Sequence, residues 1–223
     1  MTAVAALEGA LVVSCQSSEG SPVAGPAWIS QIATAAIAGG AGGLRVNGVE
    51  DLAAVRSLTD VPIIGLDKSR GPRRRMITMT VEAAMRLREA GADVVAVDAT
   101  DEAAAEGREP LRAYVELGWP IMADVSTVDE GLRAADAGAA LIGSTLSGYT
   151  PQTRGAAEEP DLDLVAALAR RGIPVVAEGR FRSPEQVRAA FDAGAYAVVV
   201  GGAITDPFAT TARFVRARPE VWQ

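Results

Sequence analysis

An α/β fold, a single (β/α)8 barrel of the TIM type spanning residues 1–223, is predicted by three features of this sequence. Eight short apolar runs alternate with Ala-rich amphipathic stretches, the connectors between them alternate between two kinds, and polar residues gather at one end of the runs. Runs too short for a helix, separated by stretches of about ten residues or more with helical periodicity, describe β-α repetition. A chain of 223 residues with 49% apolar side chains is long enough to bury the core of one such domain.

The runs are ALVVSCQ from Ala10, GGLRVN from Gly42, PIIGLDK from Pro62, VVAVDAT from Val94, PIMADVST from Pro120, LIGSTLS from Leu141, PVVAEGR from Pro174 and AVVVGGA from Ala197. The third, fifth and seventh begin at an X-Pro pair: Val61-Pro62, Trp119-Pro120 and Ile173-Pro174. Proline suits a first strand position, where no ladder donor is needed. The even runs follow Gly42-Gly43, Gly91-Ala92, Gly138-Ala139 and Gly194-Ala195, where glycine is the expected left-handed end of the preceding helix. The period of two β-α units suggests a β-α-β-α block repeated around a ring. An open doubly wound sheet is the competing arrangement, but no Gly-x-Gly-x-x-Gly follows the first run.

Composition narrows the chemistry. The sequence has no histidine, which removes the commonest general acid or base near neutral pH and leaves Lys, Glu, Asp, Tyr or Arg to do the work. With one cysteine and no histidine, no zinc cluster of the usual ligands can form. The lone Cys15 points to a reducing compartment, so the cytoplasm is expected. Glu8 interrupts the apolar N-terminal stretch, which reads as a strand rather than an export signal, and no run reaches the roughly 20 apolar residues of a membrane span. A net charge of -7 argues against a nucleic-acid partner. The one basic cluster, Arg70 with Arg73 to Arg75 around Gly71-Pro72, reads as a solvated loop.

In a barrel of this kind the working face lies at the C-terminal ends of the strands. The polar residues there are Gln16, Arg45, Asn47, Lys68, Asp98, Thr100, Asp124, Ser126, Thr127, Ser147, Glu178 and Arg180. Lys68, Asp124 and Glu178 each close a run that is otherwise almost entirely apolar, which points to a shared site. Strand alternation puts Lys68 on the side of Ile64 and Leu66, and Glu178 on the side of Val176, so both can point into the barrel mouth. Glu178-Gly179-Arg180 after the seventh run and Gly201-Gly202 after the eighth suggest a phosphate site, since glycine lets backbone N–H groups approach an anion and Arg180 adds charge.

With these segments in view the chain resembles the N-acylmannosamine-6-phosphate 2-epimerases. The matching segments run in order along nearly the whole chain and include VSCQ, GVED, STLSGYT and AEGR. The resemblance implies a metal-independent barrel enzyme without cofactor that interconverts N-acetylmannosamine 6-phosphate and N-acetylglucosamine 6-phosphate, with Lys68 and Glu178 catalytic. It makes Gln16, Arg45, Asp124, Ser147 and Tyr149 candidates for sugar and acetamido binding, and Gly179, Arg180, Gly201 and Gly202 for the phosphate. A homodimer is expected as well. The chain departs from the family pattern at Asp67, at Ser69-Arg70-Gly71-Pro72 and at Asp101 to Glu106. Two other activities use the same residues: a lyase in which Lys68 forms a Schiff base with a keto acid phosphate, and a non-catalytic sugar-phosphate-binding barrel.

Overall fold

A computed structural model describes residues 2–155 and 158–219. Among them the strands are, in chain order, β1 (Leu11–Cys15), β2 (Gly43–Asn47), β3 (Ile63–Leu66), β4 (Lys68–Arg70), β5 (Arg75–Ile77), β6 (Val94–Asp98), β7 (Ile121–Asp124), β8 (Leu141–Gly143), β9 (Val175–Glu178) and β10 (Ala197–Val200). β4 and β5 pair with each other as an antiparallel hairpin. The other eight are parallel and close into a barrel in the order β1-β10-β9-β8-β7-β6-β3-β2, with β2 returning to β1. The eight apolar runs are its eight strands.

The helices are α1 (Ala3–Ala6), α2 (Pro26–Ala38), α3 (Val49–Arg56), α4 (Val81–Glu89), α5 (Asp101–Ala105), α6 (Leu111–Val115), α7 (Val128–Asp136), α8 (Leu162–Ala169), α9 (Pro184–Asp192), α10 (Gly202–Thr205) and α11 (Pro207–Arg216). Several begin where a side chain can replace the missing helical acceptor. Thr80, Thr100, Thr127 and Ser183 cap α4, α5, α7 and α9, and the last two form reciprocal capping boxes with Glu130 and Gln186. None of these helices is long and apolar enough to cross a membrane.

Strand alternation divides the core into an inner and an outer layer. Val12, Ile64, Leu66, Val94, Ala96, Met122, Leu141, Val176, Ala197 and Val199 fill the barrel. Their neighbours, such as Leu44, Val46, Val95, Val175 and Val198, pack against the helices. Leu7, fully buried after α1, joins the inner group and plugs the barrel at the N-terminal ends of the strands. Tyr196 secures this plug by donating its hydroxyl to the carbonyl of Val4 at 3.1 Å.

Pro62, Pro120 and Pro174 stand one residue before β3, β7 and β9 and still serve the ladder. Their carbonyls accept from Leu44, Val95 and Ile142 at 2.9, 3.1 and 3.0 Å, a role that needs no N–H. Three details differ from the sequence reading. The left-handed glycine after α2 is Gly40 (φ 96°) and not the Gly42-Gly43 pair, because Gly43 is already in β2; Gly91, Gly138 and Gly194 take the expected conformation. β3 stops at Leu66, so Lys68 opens the hairpin rather than closing a barrel strand. The basic cluster is not simply a solvated loop, since the largely covered side chain of Arg74 is ion-paired to Asp98 of β6 and Glu102 of α5.

Candidate active site

The inward positions of β2, β7 and β9 at the barrel mouth are occupied by Arg45, Asp124 and Glu178. Arg45 is 1% exposed and Asp124 is fully buried. Their side chains pair in two-pronged fashion, Nη2 to Oδ2 at 2.6 Å and Nη1 to Oδ1 at 3.2 Å. Nη1 also lies 2.7 Å from Oε2 of Glu178. Two carboxylates thus share one guanidinium in an apolar barrel. Such a buried cluster is a poor route to stability, because desolvation offsets most of the attraction; groups held this way at a barrel mouth are candidates for chemistry. Gly143 of β8 makes the space for it, since a Cβ there would stand 2.6 Å from Oδ1 of Asp124. Thr145, two residues on, reaches both carboxylates with its hydroxyl. The sequence reading overlooked Thr145, although it continues the inward alternation of Leu141 and Gly143.

Lys68 stands at the root of the hairpin, its N–H donating to Oδ1 of Asn47 at 2.8 Å. Its side chain keeps a path to solvent while atoms of the barrel mouth crowd around it. That crowding, with Arg45 and Arg75 nearby, lowers its pKa from the ordinary lysine value, while Glu178 and Asp124 pull the other way. Burial pushes the Glu178 carboxyl up to about 7, with Asp124 adding to the shift, and Arg45, Lys68 and any hydrogen bond donated by Thr145 opposing it. An amine made easier to deprotonate and a carboxyl made easier to protonate therefore lie within electrostatic reach of each other at the barrel mouth. The cavity beside Lys68, about 380 Å³, is lined by Gln16, Ser17, Glu19, Asn47 and Arg75 among others. Gln16 donates to Ser14 Oγ at 2.7 Å, while its Oε1 and the Oγ of Ser17 are buried without a protein partner among the described residues.

On the other side of Glu178 a cavity of about 240 Å³ is walled by Gly179, Arg180, Gly201, Gly202, Arg182 and Arg213. Arg180, in the left-handed region at φ 62°, lines it, but its guanidinium is engaged. It donates to the carbonyls of Ser147 and Glu159 and sits 5.6 Å from the centre of the Tyr149 ring. Ser147 in turn gives its hydroxyl to Asp161, the cap of α8, at 2.5 Å. The structure thus brings Ser147, Tyr149 and Arg180 together as a loop clamp, beside the Arg45, Asp124 and Glu178 cluster rather than within it. Arg213 of α11 is half-buried on the cavity wall and has no carboxylate within ion-pair distance among the described residues. It is not legible in the sequence, because α11 lies beyond the strand ends that mark the working face of a barrel.

A second buried ion-pair group holds the hairpin. Arg74 reaches Asp98 at 2.6 and 3.2 Å, Glu102 at 2.8 Å and Thr100 at 2.9 Å, with Arg73 adding a 3.4 Å contact to Glu102. Asp98 and Thr100, strand-end candidates by sequence, are spent on this anchor. Ser126 and Thr127 are likewise spent, both bonded to Glu130 at the start of α7. Among the described residues no three His, Cys, Asp or Glu side chains are placed to hold a metal ion.

Comparison with known proteins settles the family. The family model described as "Putative N-acetylmannosamine-6-phosphate epimerase" matches residues 29–220. This chain belongs to the N-acetylmannosamine-6-phosphate epimerase family. A member from Cutibacterium acnes, named "Putative N-acetylmannosamine-6-phosphate 2-epimerase", is 44% identical over 221 residues, covering 95% of this chain and 94% of that one. One of the same name from Caldanaerobacter subterraneus is 44% identical, covering 96% and 93%. The solved structure of the N-acetylmannosamine-6-phosphate 2-epimerase from Clostridium perfringens superposes with a TM-score of 0.89 at 33% identity, over 98% of this chain and 97% of that one. The barrel of this epimerase family member is therefore the family barrel, carried across the whole matched length.

Proposed function

We propose that this protein, as one barrel domain over residues 1–223, interconverts N-acetylmannosamine 6-phosphate and N-acetylglucosamine 6-phosphate in amino sugar catabolism, with Lys68 and Glu178 as its catalytic residues. The observation that carries the assignment of roles is that a lysine with lowered pKa and a glutamate raised to about 7 lie close enough to influence each other, both beside the buried Arg45–Asp124 pair. Inverting carbon 2 requires an open chain, because only beside the C1 aldehyde is that proton acidic. Glu178 assists ring opening as acid and base. The neutral amine of Lys68 takes the C2 proton and becomes an ammonium, and the electron pair moves onto the carbonyl oxygen. Carbon 2 is then planar, so return of a proton to one face or the other gives the two epimers.

The phosphate rests in the cavity walled by Gly179, Gly201 and Gly202, where Arg213 supplies the charge and Arg180 holds the loop that shapes it. Gln16 and Ser17, with polar atoms left unpartnered, meet the sugar and acetamido groups, and Asp124 fixes Arg45 against the developing oxyanion. The protein works in the cytoplasm as a homodimer, for which the exposed side chains Phe208, Phe214 and Val215 of α11 offer an apolar face.

Incubation with N-acetylmannosamine 6-phosphate in deuterium oxide, with EDTA present, tests the mechanism. Wild-type protein should label carbon 2 and form the epimer. Lys68→Met keeps the side-chain volume without the amine and should lower both by about 10² to 10⁴-fold. Glu178→Gln should lower kcat comparably while leaving KM nearly unchanged. Retention of most of the C2 exchange by Lys68→Met would transfer the base role to another residue.

A further inference from the structure

The loop after β8 brings one hydroxyl between two buried carboxyl groups. Oγ1 of Thr145 lies 2.7 Å from Oδ1 of Asp124 and 3.2 Å from Oε2 of Glu178. A threonine hydroxyl has one proton to give, whereas its oxygen can accept. It can therefore donate fully to one carboxylate only, and then faces the other with a lone pair. Asp124 is the nearer acceptor, and it is the two-pronged ion-pair partner of Arg45. With the hydroxyl proton directed to Asp124, the contact to Glu178 becomes favourable only when Oε2 itself carries a proton.

We propose that Thr145 is a positioning residue for the epimerisation: by donating to Asp124 and accepting from Glu178, it keeps the Glu178 carboxyl protonated and fixed in orientation before substrate arrives. This rests on the reading of Glu178 as the acid of the reaction. Several groups face Glu178: Arg45 from β2, Lys68 from β4, Asp124 from β7 and Thr145 after β8, with Arg182 and Arg213 across the adjoining cavity. Its backbone is held separately, Ser144 Oγ both accepting from its N–H and donating to its carbonyl at 3.0 Å. The cations favour the anion, as would a Thr145 hydroxyl turned toward Glu178 instead of Asp124, while Asp124 and the apolar surroundings favour the acid. Burial already raises this carboxyl well above the usual glutamate range, so a single hydrogen bond weighs on whether it keeps its proton. The 3.2 Å contact is also long enough for a better acceptor on the sugar to replace it.

The two orientations of the hydroxyl predict opposite signs. If Thr145 accepts from Glu178, its removal lowers the proton affinity of Glu178; if it donates to an ionised Glu178, removal raises it. Carbon-13 NMR titration of the Glu178 carboxyl in wild type, Thr145→Val and Thr145→Ser reads the sign directly and requires no turnover. In Thr145→Val, nearly isosteric but without the hydroxyl, the midpoint should fall by about 0.5 to 1 pH unit, the worth of one net hydrogen bond. Thr145→Ser should restore it, and the basic limb of the kcat/KM profile for the 6-phosphate should move in step. Thr145→Ala serves in the same way should the valine not fold. An upward or absent shift overturns the proposal. A downward shift with an unmoved kcat/KM limb would overturn the acid role of Glu178, and with it any positioning by Thr145.

Discussion

Glu178 sits in a place that makes its charge costly. It is 13% exposed, shares Arg45 with Asp124, and holds its proton up to about 7 where an ordinary glutamate lets go at 4.5, burial being the main cause. Between those values the folded protein binds a proton that the unfolded chain has released. Stability therefore declines as pH rises through that window, because linkage favours the state that holds fewer protons. Glu178→Gln resembles the protonated side chain at every pH. The variant should match wild type in Tm near pH 4.5, and at about pH 8 should exceed it by on the order of 5 °C, as differential scanning calorimetry across that range will show. A variant that is more stable and less active is the expected mark of a residue kept for chemistry at the expense of folding.

The hairpin of β4 and β5 shows how an element is fixed by charge as well as by apolar burial, here of Met76 and Ile77 on β5. β4 is exposed along its length, and the hairpin is tied to the barrel at its root by Asn47 and by the Thr78 N–H on the carbonyl of Asp67, and beyond Gly71 by Arg74. All of the Arg74 guanidinium nitrogens find acceptors on Asp98, Thr100, Glu102 or the carbonyl of Arg75. Arg74→Ala would leave Asp98 buried without its cation and Glu102 with only the 3.4 Å contact from Arg73, a change that costs about 3 to 5 kcal/mol. The same variant should free the segment around Arg70, Arg73 and Arg75. Limited trypsin digestion should nick it there well before wild type, with kcat falling because Lys68 and Arg75 lose their fixed place at the cavity. Equal resistance to trypsin would show that the hairpin is held by its root alone.

Across the whole molecule the two ends of the barrel do different work. Polar and charged side chains crowd the C-terminal ends of the strands, while at the opposite end α1 and Leu7 seal the interior. Leu7 is fully buried and packs with Val12 and Ile64, and Gly43 leaves the room it needs, a Cβ there standing 2.7 Å from its Cδ2. Leu7→Ala should cost about 2 to 5 kcal/mol in urea unfolding. Its kcat and KM on the 6-phosphate should stay at wild-type values, since nothing at the far end touches the site. A large loss of kcat with little loss of stability would mean that the plug and the mouth are coupled.

The sequence by itself determined the strands, their number and the end at which polar side chains gather. Those follow from local chemistry: runs of Val and Ile, prolines where no donor is needed, glycines at helix ends, and the period of two that turns Arg45, Asp124 and Glu178 inward. It also put Lys68 on the side of Ile64 and Leu66, and although β3 ends two residues earlier, the chain stays extended into the hairpin and Lys68 lies near Arg45, Asp124 and Glu178. Tertiary structure alone decided which polar residues meet. Asp98 and Asp124 look alike as strand-end aspartates and are register partners on adjacent strands, yet one anchors Arg74 and the other holds Arg45. Arg180 and Arg213 were likewise distinguishable only once folded, the first committed to backbone carbonyls and the second left facing a cavity. The reason is physical: strand formation is set by neighbours along the chain, whereas the partner of a charge is set by whatever the closed barrel brings within a few ångströms, from residues as far apart as 45 and 124.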